Sequence, residues 1–128
     1  MKGMRHVAEA QARVLRGALP GPARQFPDYM PDMFSNITVE YIADLPAAGL
    51  SFWNGHRWHI HVRKDDPDDE RAFTLLHQIK RIIDHPLQRQ TTRFTEADWH
   101  ALADHFAHQV LNPISTQERK EASYERHS

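Results

Sequence analysis

At 128 residues with 40% apolar side chains, the chain has the size and the material for one modest core. Its 16 basic and 17 acidic residues leave a formal charge of -1, so no global field points to nucleic acid or an anionic membrane. Without cysteine, disulfides and thiolate metal sites are excluded, and any transition metal must sit on histidine or carboxylate.

No apolar run approaches the ~20 residues that a bilayer span needs. Met1-Lys2-Gly3 leads into a polar amphipathic stretch unlike a signal-peptide core, so a soluble, cytoplasmic protein without membrane contact is expected. Val7, Ala8, Val14, Leu15 and Ala18 give residues 4–18 a partial helical stripe, stopped by Leu19-Pro20-Gly21-Pro22. Residues 20–35 hold four prolines and read as an irregular connector with at most one helical turn. Ile37–Ile42 alternates as a strand. Leu50–Trp53 and His56–Val62, joined by Asn54-Gly55, predict a hairpin with a tight type I′ turn, with Trp58, Ile60 and Val62 on one sheet face.

Two helices follow. Asp66 as N-cap, Pro67 in the first helical position and Asp68 and Asp69 in the first turn open one, which the sequence ends near Asp84-His85-Pro86. Phe73, Leu75, Leu76, Ile79, Ile82 and Ile83 give it a broad apolar surface. Thr95, with Asp98 at N3, opens the second close to a capping box, and Asn112-Pro113 ends it. Its buried side would carry Trp99, Leu102, Ala103, Phe106, Ala107, Val110 and Leu111, beside a polar stripe of His100, Asp104 and His108. Residues 1–115 read as one domain and 116–128 as a charged tail. The expected fold class is α+β: a small twisted β-sheet packed against helices.

Ten histidines are many for this length, and their placement narrows their use. His59 and His61 would share a strand face, where a helix histidine could complete a metal trio. His77 and Arg81 stand one turn apart on the first long helix, with Gln78 about 100° round from His77. The motif Arg71-x-Phe73-Thr74-Leu75-x-His77, followed by Ala103-Asp104-x-Phe106-Ala107-x-x-x-Leu111-x-Pro113, resembles the ImmA/IrrE family of metallopeptidases. The resemblance covers about residues 37–113, with Trp58-His-Ile-His-Val62 at the family's strand. It implies a minimal zincin-like domain whose His-Glu-x-x-His motif is not intact. The first zinc histidine falls on His77, the general-base glutamate on Gln78, the glycine on Lys80, the second histidine on Arg81, the third ligand on His100 and the usual asparagine on Asp104.

Those replacements change the chemistry. Glutamine cannot exchange a proton near neutral pH, so Gln78 cannot be a general base. Arg81 has no lone pair to give a metal. It is expected to pair with Asp104 or Asp84, and His77 with Asp104 or a backbone carbonyl. A rearranged site of His77, His100 and Asp104 could still hold zinc, with a base such as His85 or His108. The leading expectation is a catalytically inactive, pseudo-metallopeptidase module with no cofactor. It would bind a protein partner, such as a transcriptional regulator, in a bacterial or phage regulatory system. A zinc metallopeptidase using the rearranged site is the first alternative. The second is a nucleic-acid-binding regulator using Arg57, Arg63, Lys64, Arg81, Arg89 and Arg93, although no known reading motif accompanies them. The histidine-bearing faces of the two helices are expected to meet.

Overall fold

The computed structural model describes residues 2–112; the expected tail 116–128 and the stop at Pro113 lie outside them. Helix α1 (Lys2–Ala18) is followed by a single 3-10 turn (Ala23–Gln25), helix α2 (Phe26–Met33), strands β1 (Ile37–Ile42), β2 (Gly49–Trp53) and β3 (Trp58–Arg63), and helices α3 (Asp68–Gln90) and α4 (Glu96–Leu111). This is an α+β fold. The three strands form one sheet in the order β1-β3-β2, with β1 parallel and β2 antiparallel to the central β3. The pleat sends Ile60 and Val62 into the core beneath α3, while His59 and His61 face the other way. Leu75, Leu76 and Ile79 of α3 and Trp99, Leu102 and Phe106 of α4 fill the space between sheet and helices. Helix α1 lies on α4 through the fully buried Ala8 and Ala12, small enough to let the two backbones approach.

Four local expectations are corrected. The proline-rich connector contains the eight-residue helix α2, with Pro27 near its start and Pro31 inside it. Pro27 costs nothing there; Pro31 forfeits one backbone bond, offset by burial of Phe26 and Met30, one turn apart. Helix α3 runs through Pro86 to Gln90. Its extra turn is fastened by His85, edge-on to Trp58 at 5.0 Å, and by Gln88 Nε2, which donates to Glu96 Oε2 at 2.8 Å. The cap of α3 is Pro67, not Asp66, whose carboxylate instead accepts Arg63 Nε at 2.8 Å. Finally, the hairpin turn is shifted by one residue. Within the turn, only Gly55 has a positive φ, +100°, whereas a type I′ turn needs two such residues. Asn54 Oδ1 accepts the His56 and Arg57 amides at 2.9 Å each, so His56 belongs to the turn and the strand begins at Trp58.

Candidate functional site

Helix α4 is set in place by its first turn. Thr95 Oγ1 accepts the Asp98 amide at 3.1 Å and Asp98 Oδ2 accepts the Thr95 amide at 2.8 Å, a complete capping box. With Trp99, Leu102, Ala103 and Phe106 turned inward, the neighbouring stripe of Glu96, His100 and Asp104 faces α3. Helix α3 buries Leu75, Leu76 and Ile79, which turns His77 and Arg81 toward that stripe. The two faces therefore meet.

Their side chains form one continuous chain of contacts. Asp104 Oδ1 lies 2.7 Å from His77 Nδ1, and His77 Nε2 lies 3.3 Å from His100 Nδ1, with the two rings stacked at 5.3 Å. His100 Nε2 stands 3.6 Å from Glu96 Oε1. Glu96 in turn is held by Arg81 and Gln88. Proton accounting fixes the roles. A neutral His77 donating through Nδ1 to Asp104 must accept at Nε2, so His100 donates through Nδ1.

Burial lowers the His77 pKa from its ordinary value of 6.5, outweighing the hydrogen bond and charge of Asp104, which act to raise it. The His77 side chain is only 11% exposed, against 53% for Asp104. At neutral pH their contact is therefore the hydrogen bond of a neutral imidazole, not an ion pair. The bond from Arg81 is the main cause that holds the Glu96 carboxyl below its ordinary range. Arg81 Nη1 is buried without a partner.

Several sequence expectations change here. Arg81 pairs with neither Asp104 nor Asp84, but with Glu96, a residue the sequence reading passed over. Asp84 binds Lys80 Nζ at 2.7 Å, and that ammonium also donates to Gln11 Oε1 at 2.7 Å. Lys80, at the resemblance's glycine position, is fully buried. Gln78 points aside, toward β2: a Cβ built on Gly49 would stand 3.8 Å from Gln78 Cγ. His85 rests on Trp58, and His108 packs on Phe73 at 4.8 Å.

The residues do not fit a three-ligand zinc site. His77 Nε2 and His100 Nδ1 have a spacing two imidazoles take on zinc at about 2.0–2.1 Å each. Asp104, however, sits on the opposite nitrogen of His77, where a carboxylate orients a ligand without being one. Arg81 brings a permanent cation to the same place. Among the described residues no group of three His, Cys, Asp or Glu side chains is placed to hold a metal ion. The strand trio is not assembled either. His59 and His61 flank Phe52 on the far face of the sheet, at ring distances of 5.2 and 5.1 Å. There they meet Asn54 Nδ2 at 2.8 Å and Glu40 at 3.8 Å respectively.

Of the basic candidates, Arg57 donates to the Ser35 carbonyl at 2.7 Å, Arg63 to Asp66, and Arg81 to Glu96. Among the described residues, no helix is long and apolar enough to cross a membrane. Compared with protein-family models, curated proteins and solved structures, the chain matches none.

Proposed function

We propose that this chain is a catalytically inactive, metallopeptidase-like domain that serves as a cytoplasmic protein-binding module in a bacterial or phage regulatory system. The observation that carries the reading is Arg81. It stands at the resemblance's second-histidine position, one turn from His77, and is clamped by Glu96 instead of facing a metal. Gln78 supports the same reading, since an amide at the general-base position cannot activate water. The partner expected from the resemblance is a transcriptional regulator, bound but not cut.

The spacing of His77 and His100 favours a second reading, a rearranged zinc enzyme, and one experiment separates the two. Calorimetric zinc titration is run on the untagged chain beside the double variant Gln78→Glu/Arg81→His. The proposal expects the wild type to bind zinc weakly or not at all. The variant gains affinity, because the imidazole introduced by Arg81→His joins those of His77 and His100, and the three leave a coordination position for water. Peptidase activity stays low in the variant, since transition-state placement tolerates little error. Equal, tight, one-to-one binding by both proteins would refute the proposal and favour the enzyme.

A further inference from the structure

Strand β2 lies at the edge of the sheet, and no described residue hydrogen-bonds to its outer side. The Arg63 amide donates to the Ala48 carbonyl at 2.8 Å and the Asn54 amide to the Arg57 carbonyl at 3.2 Å, which marks the hydrogen-bonded pairs of the β2–β3 ladder. Because such pairs alternate, Leu50 and Phe52 also bond inward, and the N–H and C=O of Gly49, Ser51 and Trp53 point outward. Exposed edges are ordinarily blunted by charge, proline or a bulge. The other edge, β1, carries Glu40 and has α2 against it, but β2 reads Gly-Leu-Ser-Phe-Trp and has no charge or proline. Leu50, Phe52 and Trp53 are 37, 39 and 54% exposed.

We infer that β2 pairs antiparallel with β2 of a second copy of this chain, about a two-fold axis at Ser51. In that register the outward groups of both strands satisfy one another: Ser51 faces Ser51, and Gly49 faces Trp53 of the second copy. Gly49 suits a large neighbour, because it has no side chain. It is also kept bare by its own fold, since a Cβ there would stand 2.4 Å from Thr74 Cγ2 and 3.0 Å from the His61 carbonyl oxygen. On the opposite face Leu50 stands across from Phe52 of the second copy, in the non-hydrogen-bonded type of pair where side chains approach more closely. A shift of two residues in either direction takes Gly49 or Trp53 out of the paired segment. The strand is thus complementary to itself in one register.

The covered side chains amount to on the order of 300 Å² per copy, judged from aromatic side-chain sizes. That is well short of the about 800 Å² per partner of a standard interface, so the dimer is weak and depends on concentration. Sedimentation velocity is run from about 10 μM to about 1 mM, the weak end of the affinity scale. The wild-type mass should climb toward that of a dimer, and Leu50→Lys should stay monomeric throughout with an unchanged circular-dichroism melt. A wild type that is monomeric over the whole range overturns the inference, as does a mass rise that Leu50→Lys leaves intact.

A second measurement stands even if that variant fails to fold. The chain has no cysteine, so Ser51→Cys creates a single thiol. Hydrogen-bonded antiparallel partners lie about 5.5 Å apart at Cα, within the range a disulfide spans. Under mild oxidation Ser51→Cys should cross-link at least about tenfold faster than Glu40→Cys on β1, through the raised local concentration. Equal rates would place any contact elsewhere and overturn the inference.

Discussion

Replacing Lys80 by methionine should cost more stability than any surface change in this chain. Lys80 is fully buried and Asp84 is 4% exposed; the ammonium bonds both Asp84 Oδ1 and Gln11 Oε1 at 2.7 Å. Methionine keeps most of the apolar stem but removes the charge. Asp84, whose Oδ2 already has no partner among the described residues, would lose the cation that bonds its Oδ1, and Gln11 would lose a donor. Breaking a buried pair from one side costs about 3–5 kcal/mol. For a chain this long, that is on the order of 10–20 °C in Tm. Removing both charges in Lys80→Met/Asp84→Leu should recover most of the loss, to within about 1–2 kcal/mol of wild type, because no uncompensated charge is left inside. Urea denaturation of wild type, both single variants and the double variant gives the coupling, which on these figures is at least about 4 kcal/mol. Additive single effects, or a Lys80→Met chain within about 1 kcal/mol of wild type, would show that the pair is hydrated and the reasoning wrong.

Acid should weaken the fold through His77. Its folded pKa lies below its ordinary value of 6.5, so the unfolded chain takes up the proton first. The contribution is whole above that ordinary value and is lost as pH falls from it through the lowered folded value. Between about pH 7.5 and about pH 5.5 the urea midpoint should drop more for wild type than for His77→Gln; a steeper drop in the variant would reverse the assigned sign. Thr95→Ala deletes the hydroxyl that accepts the Asp98 amide and should cost about 1 kcal/mol in the same denaturation assay, with Thr95→Ser near wild type. Exhaustive chelation should leave the melting curve unchanged, and a collapse of the fold on chelation would mean that metal holds it.

The elements most legible in the sequence were those whose signals are local. The Thr95–Asp98 capping box, the acidic start of α3 and the alternation of β3 each depend on neighbours within a few residues. Helix α2 was hidden because two prolines in eight residues outweigh the Phe26/Met30 spacing that buries it. The end of α3 was misplaced for a similar reason: Pro86 normally stops a helix, and the contacts that carry it onward come from outside the helix, from Trp58 on β3 and Glu96 at the start of α4. At the site, the i, i+4 spacings of His77/Arg81 and His100/Asp104 were readable. The role of Glu96 was not, because an acid in a first turn already has a local explanation in the helix dipole. Lys80 and Asp84 stand at the i, i+4 spacing of an ordinary solvated pair, and nothing local in the sequence reveals their burial or the bond from Lys80 to Gln11 of α1.

Lys80 and Arg81 are adjacent, so their side chains leave α3 about 100° apart. One reaches toward α1, where Gln11 completes its bonds with Asp84; the other reaches α4, where Glu96 and Gln88 complete a second cluster. Two successive residues thus tie the long helix to α1 and to α4. Beside Arg81, the half-buried, neutral His77 is the part of the seam that answers to protons. Arg81, reaching Glu96 from the middle of α3, thus holds α3 and α4 together by a charge that does not depend on pH.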